Sequence, residues 1–327
     1  MVLLCEKKVG KDGAGRIKIL ECRSLDSLAV IPEQIEDAFV TELSPYLFSS
    51  YSNHEEEEVS SPFWWSDRDG RMEEAEAGTL PLLKGNLIEE LCLPPSLKKV
   101  GAYAFYNCER IKRLEFYSTT EDWGTGVFTG CSQAEQVTIH VDESRKSCMK
   151  EIVSELRQTL SVTYLGKAEA RLIFPEFFEE AVENTPARIL VTNTHGCGKR
   201  YRNAFVNTQF QFREYDRLFP HVQVQESEEL AARVALGRLL YPYQLTGENS
   251  AMYQNYLRAH SVSAACQAVK NQNAEELYWL MEHMVYNSRQ MEQVIEAAGK
   301  SGDAGFVSYL MDQRREKGIV TRRHFQL

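Results

Sequence analysis

The sequence predicts an α+β, multidomain chain in which a β-solenoid is followed by an all-α helical repeat domain. Three observations predict it. An apolar pattern recurs at an offset of 23 residues between Ile88 and Ile139. That pattern stops near Gly166, where the composition changes. From about residue 226 the apolar spacing is helical throughout, with a second internal repeat at an offset of 30.

The first repeat is carried by "IEELCLP", "IKRLEFY" and "EQVTIHV", in which apolar and polar residues alternate. That two-residue period is a strand with one buried face. Overlaying "GAYAFYNCERIKRLEF" on "GTGVFTGCSQAEQVTI" sets Gly101 on Gly124, Phe105 on Phe128, Cys108 on Cys131 and Leu114 on Val137. The glycine is read as a turn free of a Cβ penalty. Phe105 and Phe128 then fold back over the strand and stack, with the cysteines beside them as small buried residues. A fixed period in the twenties marks a solenoid, whose units bury their apolar faces only against neighbours. An earlier degenerate copy places Leu43, Tyr46 and Phe48 at 57 residues before Val100, Tyr103 and Phe105.

The stretch "LCLPPSLKKVGAYAFYNC" resembles the BspA-type leucine-rich repeats, whose unit runs Leu, Ile and Pro, then Gly, then Ala-Phe and Cys. The resemblance covers about residues 17 to 141 and implies a leucine-rich repeat solenoid. Many proteins of this type are surface or secreted proteins, which implies a cell-surface adhesin as one alternative.

At 327 residues the chain exceeds one ordinary core. Its opening, "MVLLCEKKVGKDG", has too few apolar residues for a signal-peptide core of about 7 to 15. No run approaches the roughly 18 apolar residues of a membrane helix. These features, with eight cysteines and no CxxC, predict a cytoplasmic protein with reduced thiols and neither metal nor cofactor. The net charge of −10 predicts no nucleic-acid partner.

Residues 1–166 are assigned to the solenoid, with an acidic insertion at 51–86 and a capping helix near 143–160. Between Tyr51 and Glu90 eleven acidic residues face three basic ones, Arg68, Arg71 and Lys84. The insertion reads as a projecting solvated loop. Its Phe63, Trp64 and Trp65 are costly to leave in water. They are read either as an anchor onto their own domain or as a partner-binding hot spot.

Residues 167–225 read as an irregular connecting segment. "FPEFFEEAVENTPARI" has the pattern of a short helix with Pro175 in its first turn. "NTHGCGKRYRNAF" alone looks like chemistry, with Cys197 between two glycines beside His195, Lys199, Arg200 and Arg202. It fails as a phosphate loop, because Asn193 and Arg200 stand where Gly and Ser or Thr are required. A His195–Cys197 nucleophile pair lacks an orienting third residue. Three readings remain: catalysis, an anion- or acidic-peptide-binding loop through Lys199, Arg200 and Arg202, and a structural loop paired with Glu179, Glu180, Glu183 or Asp216.

Residues 226–327 read as a helical repeat domain. "AVKNQNAEELYWLME" and "AGKSGDAGFVSYLMD" superpose with Ala268 on Ala298, Leu280 on Leu310 and Met281 on Met311. The later copy resembles an ankyrin repeat, without its Thr-Pro-Leu-His opening. Met281, Met284, Met291 and Met311 read as core. Two solenoid modules imply a non-enzymatic scaffold or protein-interaction protein with a protein partner. The alternative is an enzyme or small-ligand binder centred on His195–Arg202 between the modules.

Overall fold

A computed structural model describes residues 1–10, 13–51, 60–184 and 189–319. The chain divides into two units, Met1–Glu214 and Tyr215–Leu327.

In the first unit, the alternating segments become short strands stacked side by side. Leu28–Val30, Glu90–Cys92, Arg113–Tyr117, Gln136–His140 and Leu160–Leu165 run parallel, and Glu169–Phe174 returns antiparallel to close a six-stranded sheet. Leu91, Leu114, Val137 and Val162 meet in register across it, and all four are buried. On the other side of the coils, the strands Ala38–Leu43, Lys99–Val100 and Asp122–Trp123 also run parallel. They continue through Gly15–Arg23, Val2–Val9, Phe63–Ser66 and Gly70–Met72 into a second sheet of eight strands.

Between the sheets the repeated aromatics stack. The Phe48 and Phe105 rings lie 5.3 Å apart at 12°, and Phe105 and Phe128 lie 5.4 Å apart at 10°. Tyr46 stacks on Tyr103 at 5.2 Å, so the degenerate copy is a true first coil. The cysteines are more than small fillers. Cys108 Sγ donates to the Phe48 carbonyl at 3.1 Å, and Cys131 Sγ donates to the Phe105 carbonyl at 3.1 Å. Each thiol ties its coil to the one before, and burial pushes the Cys108 pKa up to about 12.

The glycines act differently from the turn expected of them. Left-handed backbone falls two residues later, at Tyr103 (φ 57°) and Gly126 (φ 63°). Gly101 and Gly124 are required because stacked backbones nearly touch there. A Cβ on Gly101 would lie 2.3 Å from Pro45 N, and one on Gly124 would lie 2.3 Å from Ala102 N.

A stack of coils needs an end. Within it, backbone N–H groups of one coil donate to carbonyls of the next, as Phe48 N does to Ala104 O and Phe105 N to Val127 O. The equivalent N–H of Phe128 has no further coil and is taken at 2.7 Å by the Glu155 carboxylate. Glu155 ends the helix Met149–Glu155, a shorter capping helix than the one expected near 143–160. Gln158 likewise donates to the Cys131 and Ala134 carbonyls. A side chain here replaces the missing neighbour, since buried backbone polar groups must be paired.

Three features differ from the sequence reading. The acidic insertion is not simply a projecting loop: Phe63–Ser66 pairs antiparallel with Val2–Val9, and Gly70–Met72 pairs with Phe63–Ser66. The acidic run Glu55–Glu58 lies outside the described residues. "FPEFFEEAVEN" is no helix, because Phe178–Asn184 forms a hairpin with Ile189–His195. Cross-strand pairing with that β-branched partner outweighs a weak local helix preference. Finally, the chain divides after Glu214 and not at 166 and 226, because Glu169–Phe174 completes the solenoid sheet and Arg202 bonds back into the cap.

The second unit is helical among its described residues. Ser261–Lys270 with Ala274–His283, and Ser288–Ser301 with Ala304–Glu316, are the two helix pairs behind the offset of 30. Caps set their starts: Asn273 and Asp303 accept from the backbone of their first turns, and Asn287 forms a capping box with Gln290. Ala268, Ala298, Leu280 and Leu310 are buried, as are Met281, Met284 and Met291, whereas Met311 is 48% exposed. Among the described residues, no helix is long and apolar enough to cross a membrane.

Candidate functional site

The basic segment resolves into residues with different duties. Gly196 and Gly198 lie against the chain at Pro175–Phe177. A Cβ on Gly198 would fall 2.0 Å from Pro175 O, and one on Gly196 would fall 2.7 Å from Glu176 O. That close approach carries Arg202 inward until it is only 2% exposed. Its guanidinium donates to five carbonyls: Val153 at 2.8 Å, Leu156 at 2.8 and 3.0 Å, Gln158 at 2.6 Å, Gly198 at 3.1 Å, and Pro175. Burial lowers its pKa to about 10. Arg202 therefore terminates the capping helix, whose last carbonyls have no intrahelical donor, and offers nothing to a ligand. Replacing it with Lys removes the fork and leaves carbonyls unpaired, so a loss of about 2 to 3 kcal/mol is expected in chemical denaturation.

The neighbouring side chains point elsewhere. Lys199 pairs with Glu179 and holds that carboxyl below the usual carboxylate range. His195 stacks on Phe178 at 4.5 Å, with its Nε2 3.5 Å from Glu180. Arg200 is exposed. Cys197 is fully buried while His195 is exposed, so the pair weighed as nucleophile and base is not assembled. Of the carboxylates expected to pair, Glu179 and Glu180 do so, the Glu183 side chain lies outside the described residues, and Asp216 pairs with Arg238 instead.

The aromatic triplet is half-buried in its strand. Trp64 lies between Leu4 and Met72 in cross-strand register, and Trp65 between Leu3 and Arg71. Arg23 sits 5.4 Å from the Trp64 ring and Arg71 sits 4.4 Å from the Phe63 ring.

Sequence reasoning placed the solenoid strands but did not single out their outer face. The polar positions of the six-stranded sheet form rows across it. One runs Val30, Cys92, Glu115, Thr138, Thr163 and Arg171, and the next runs Tyr117, His140, Leu165 and Glu169. All are at least partly exposed. His140 Nε2 lies 2.8 Å from Glu115 Oε1, and its ring stacks on Tyr117 at 4.2 Å and 9°. Glu115 Oε2 is 3.9 Å from Cys92 Sγ. The signal for this face was the same two-residue alternation, read on its polar phase.

The eight-stranded sheet carries a different pattern. Glu6, Lys18, Glu42, Lys99 and Asp122 follow one another across five strands, alternating in sign. Lys18 and Lys99 reach Glu42 at 3.9 and 3.6 Å. Such opposite-charge neighbours stabilise a sheet face locally. Among the described residues, no group of three or more His, Cys, Asp or Glu side chains is arranged to hold a metal ion.

Residues 83–166 match the family model described as the BspA type leucine rich repeat region (6 copies). No curated protein matches the chain. A solved crystal structure, that of the T. pallidum leucine rich repeat protein, is 15% identical, with 50% of this chain and 78% of that chain covered and a TM-score of 0.21. The amino-terminal part of the chain is thus a leucine-rich repeat β-solenoid, followed by a helical carboxyl-terminal region.

Proposed function

We propose that the chain is a non-enzymatic protein-interaction or scaffold protein that takes a partner on the outer face of the six-stranded sheet. The observation that supports this most directly is the pair of side-chain rows centred on Glu115, Tyr117 and His140. They are ordered by strand register, held by mutual contacts and only partly buried. Pre-ordered side chains lose little freedom on binding, and aromatic residues carry most of the energy at such surfaces. Stacked repeats fix the backbone beneath while leaving these positions free to vary.

Cross-linked pull-down from the native source with the whole chain tests this against an E115A/Y117A/H140A variant. The expected result is a discrete partner recovered by the parent and lost with the variant, whose circular dichroism is unchanged. Recovery of the same proteins by both would exclude this face as the binding surface.

A further inference from the structure

The half-buried aromatic strand borders a groove of about 660 Å³ that includes Leu4, Phe63, Trp64 and Met72. Leu4, Trp64 and Met72 are neighbours in one cross-strand row, which continues to Glu21. The apolar floor is therefore set by sheet register. Its charges are unevenly matched. The two cations of the groove already have carboxylates, Arg23 with Glu21 at 2.7 Å and Arg71 with Glu36 at 2.6 and 3.1 Å. Glu73, Glu74 and Glu76 also line the groove, are exposed, and form no ion pair among the described residues. The Trp64 and Phe63 rings already carry guanidinium groups of this chain, so the charge open to an incoming cation is that of the three carboxylates.

We propose that this groove binds a basic segment of a partner protein. Lys and Arg heads meet Glu73, Glu74 and Glu76, and their methylene stems lie over Leu4, Trp64 and Met72, as long cationic side chains do on apolar surface. A chain of net charge −10 attracts such a segment from a distance, whereas an acidic peptide or nucleic acid is repelled. This rests on the protein-interaction reading but concerns the other sheet.

The test is calorimetric titration of the full chain with an acetylated, amidated Lys-Leu-Arg-Lys-Leu-Arg peptide, with Glu-Leu-Asp-Glu-Leu-Asp as the control. Saturable binding is expected for the basic peptide only, weakening with salt. The E73Q/E74Q/E76Q variant is expected to bind at least about ten-fold more weakly, each tenfold being 1.4 kcal/mol. An E55Q/E56Q/E57Q/E58Q variant, which removes four negative charges but leaves Glu73, Glu74 and Glu76 intact, retains binding to within about three-fold. E115A/Y117A/H140A also retains it, which separates this site from the face proposed above. No saturable binding to the parent overturns the proposal. So does undiminished binding to E73Q/E74Q/E76Q, equal binding of the acidic peptide, or a loss confined to the E55Q/E56Q/E57Q/E58Q variant.

Discussion

Phe105→Ala is expected to lower the unfolding free energy of the solenoid by about 3 to 5 kcal/mol, the sum of lost transfer energy and a cavity. The ring is fully buried and lies between two parallel rings, Phe48 at 5.3 Å and Phe128 at 5.4 Å. Its removal breaks both stacking contacts, and neither neighbour can collapse into the gap without shifting its own coil. The Cys131 thiol bonds to the carbonyl of the same residue, so the backbone there is held on both sides. Chemical denaturation followed by circular dichroism measures the loss. Phe105→Leu should retain most of the stability, because it refills much of the space. A loss below about 1 kcal/mol for Phe105→Ala would show that the rings are not the axis of the stack.

In the helical unit, Asp216→Ala is expected to cost about 3 to 5 kcal/mol, because it strands a buried guanidinium. Asp216 and Arg238 are both fully buried and paired through two bonds, at 2.8 and 3.2 Å. Tyr253 donates to the same carboxylate at 2.9 Å, and Arg238 also donates to the Tyr241 and Tyr243 carbonyls at 3.3 and 2.9 Å. One carboxylate thereby joins the helices Phe212–Arg217, Glu228–Leu240 and Gly247–Ala259. Replacing both charges together, as D216L/R238M, should recover part of the loss, since an uncompensated ion is worse than an apolar pair. Equal losses for the single and double variants would indicate that packing, and not the ion pair, sets the stability here.

What the sequence by itself determined is what repeats locally. The offset of 23 located the strands and the Phe105–Phe128 stack, and the same pattern at an offset of 57 located the degenerate coil at Tyr46 and Phe48. This was legible because each coil buries its face against an adjacent copy of the same pattern, so periodicity and burial are one signal. The caps at Asn273, Asn287 and Asp303 are equally local, although the sequence reading did not single them out. Tertiary structure decided everything that depends on a distant partner. Nothing in Phe63–Ser66 names Val2–Val9 as its neighbouring strand, and nothing in Phe178–Asn184 outweighs helix until Ile189–His195 lies beside it. In "GKRYR" three cations look alike. Only the approach of Gly198 to Pro175 buries Arg202 among carbonyls while Lys199 stays at the surface with Glu179. The physical reason is common to all three cases: a buried polar group is stable only when paired, and its partner is supplied by chain geometry at long range.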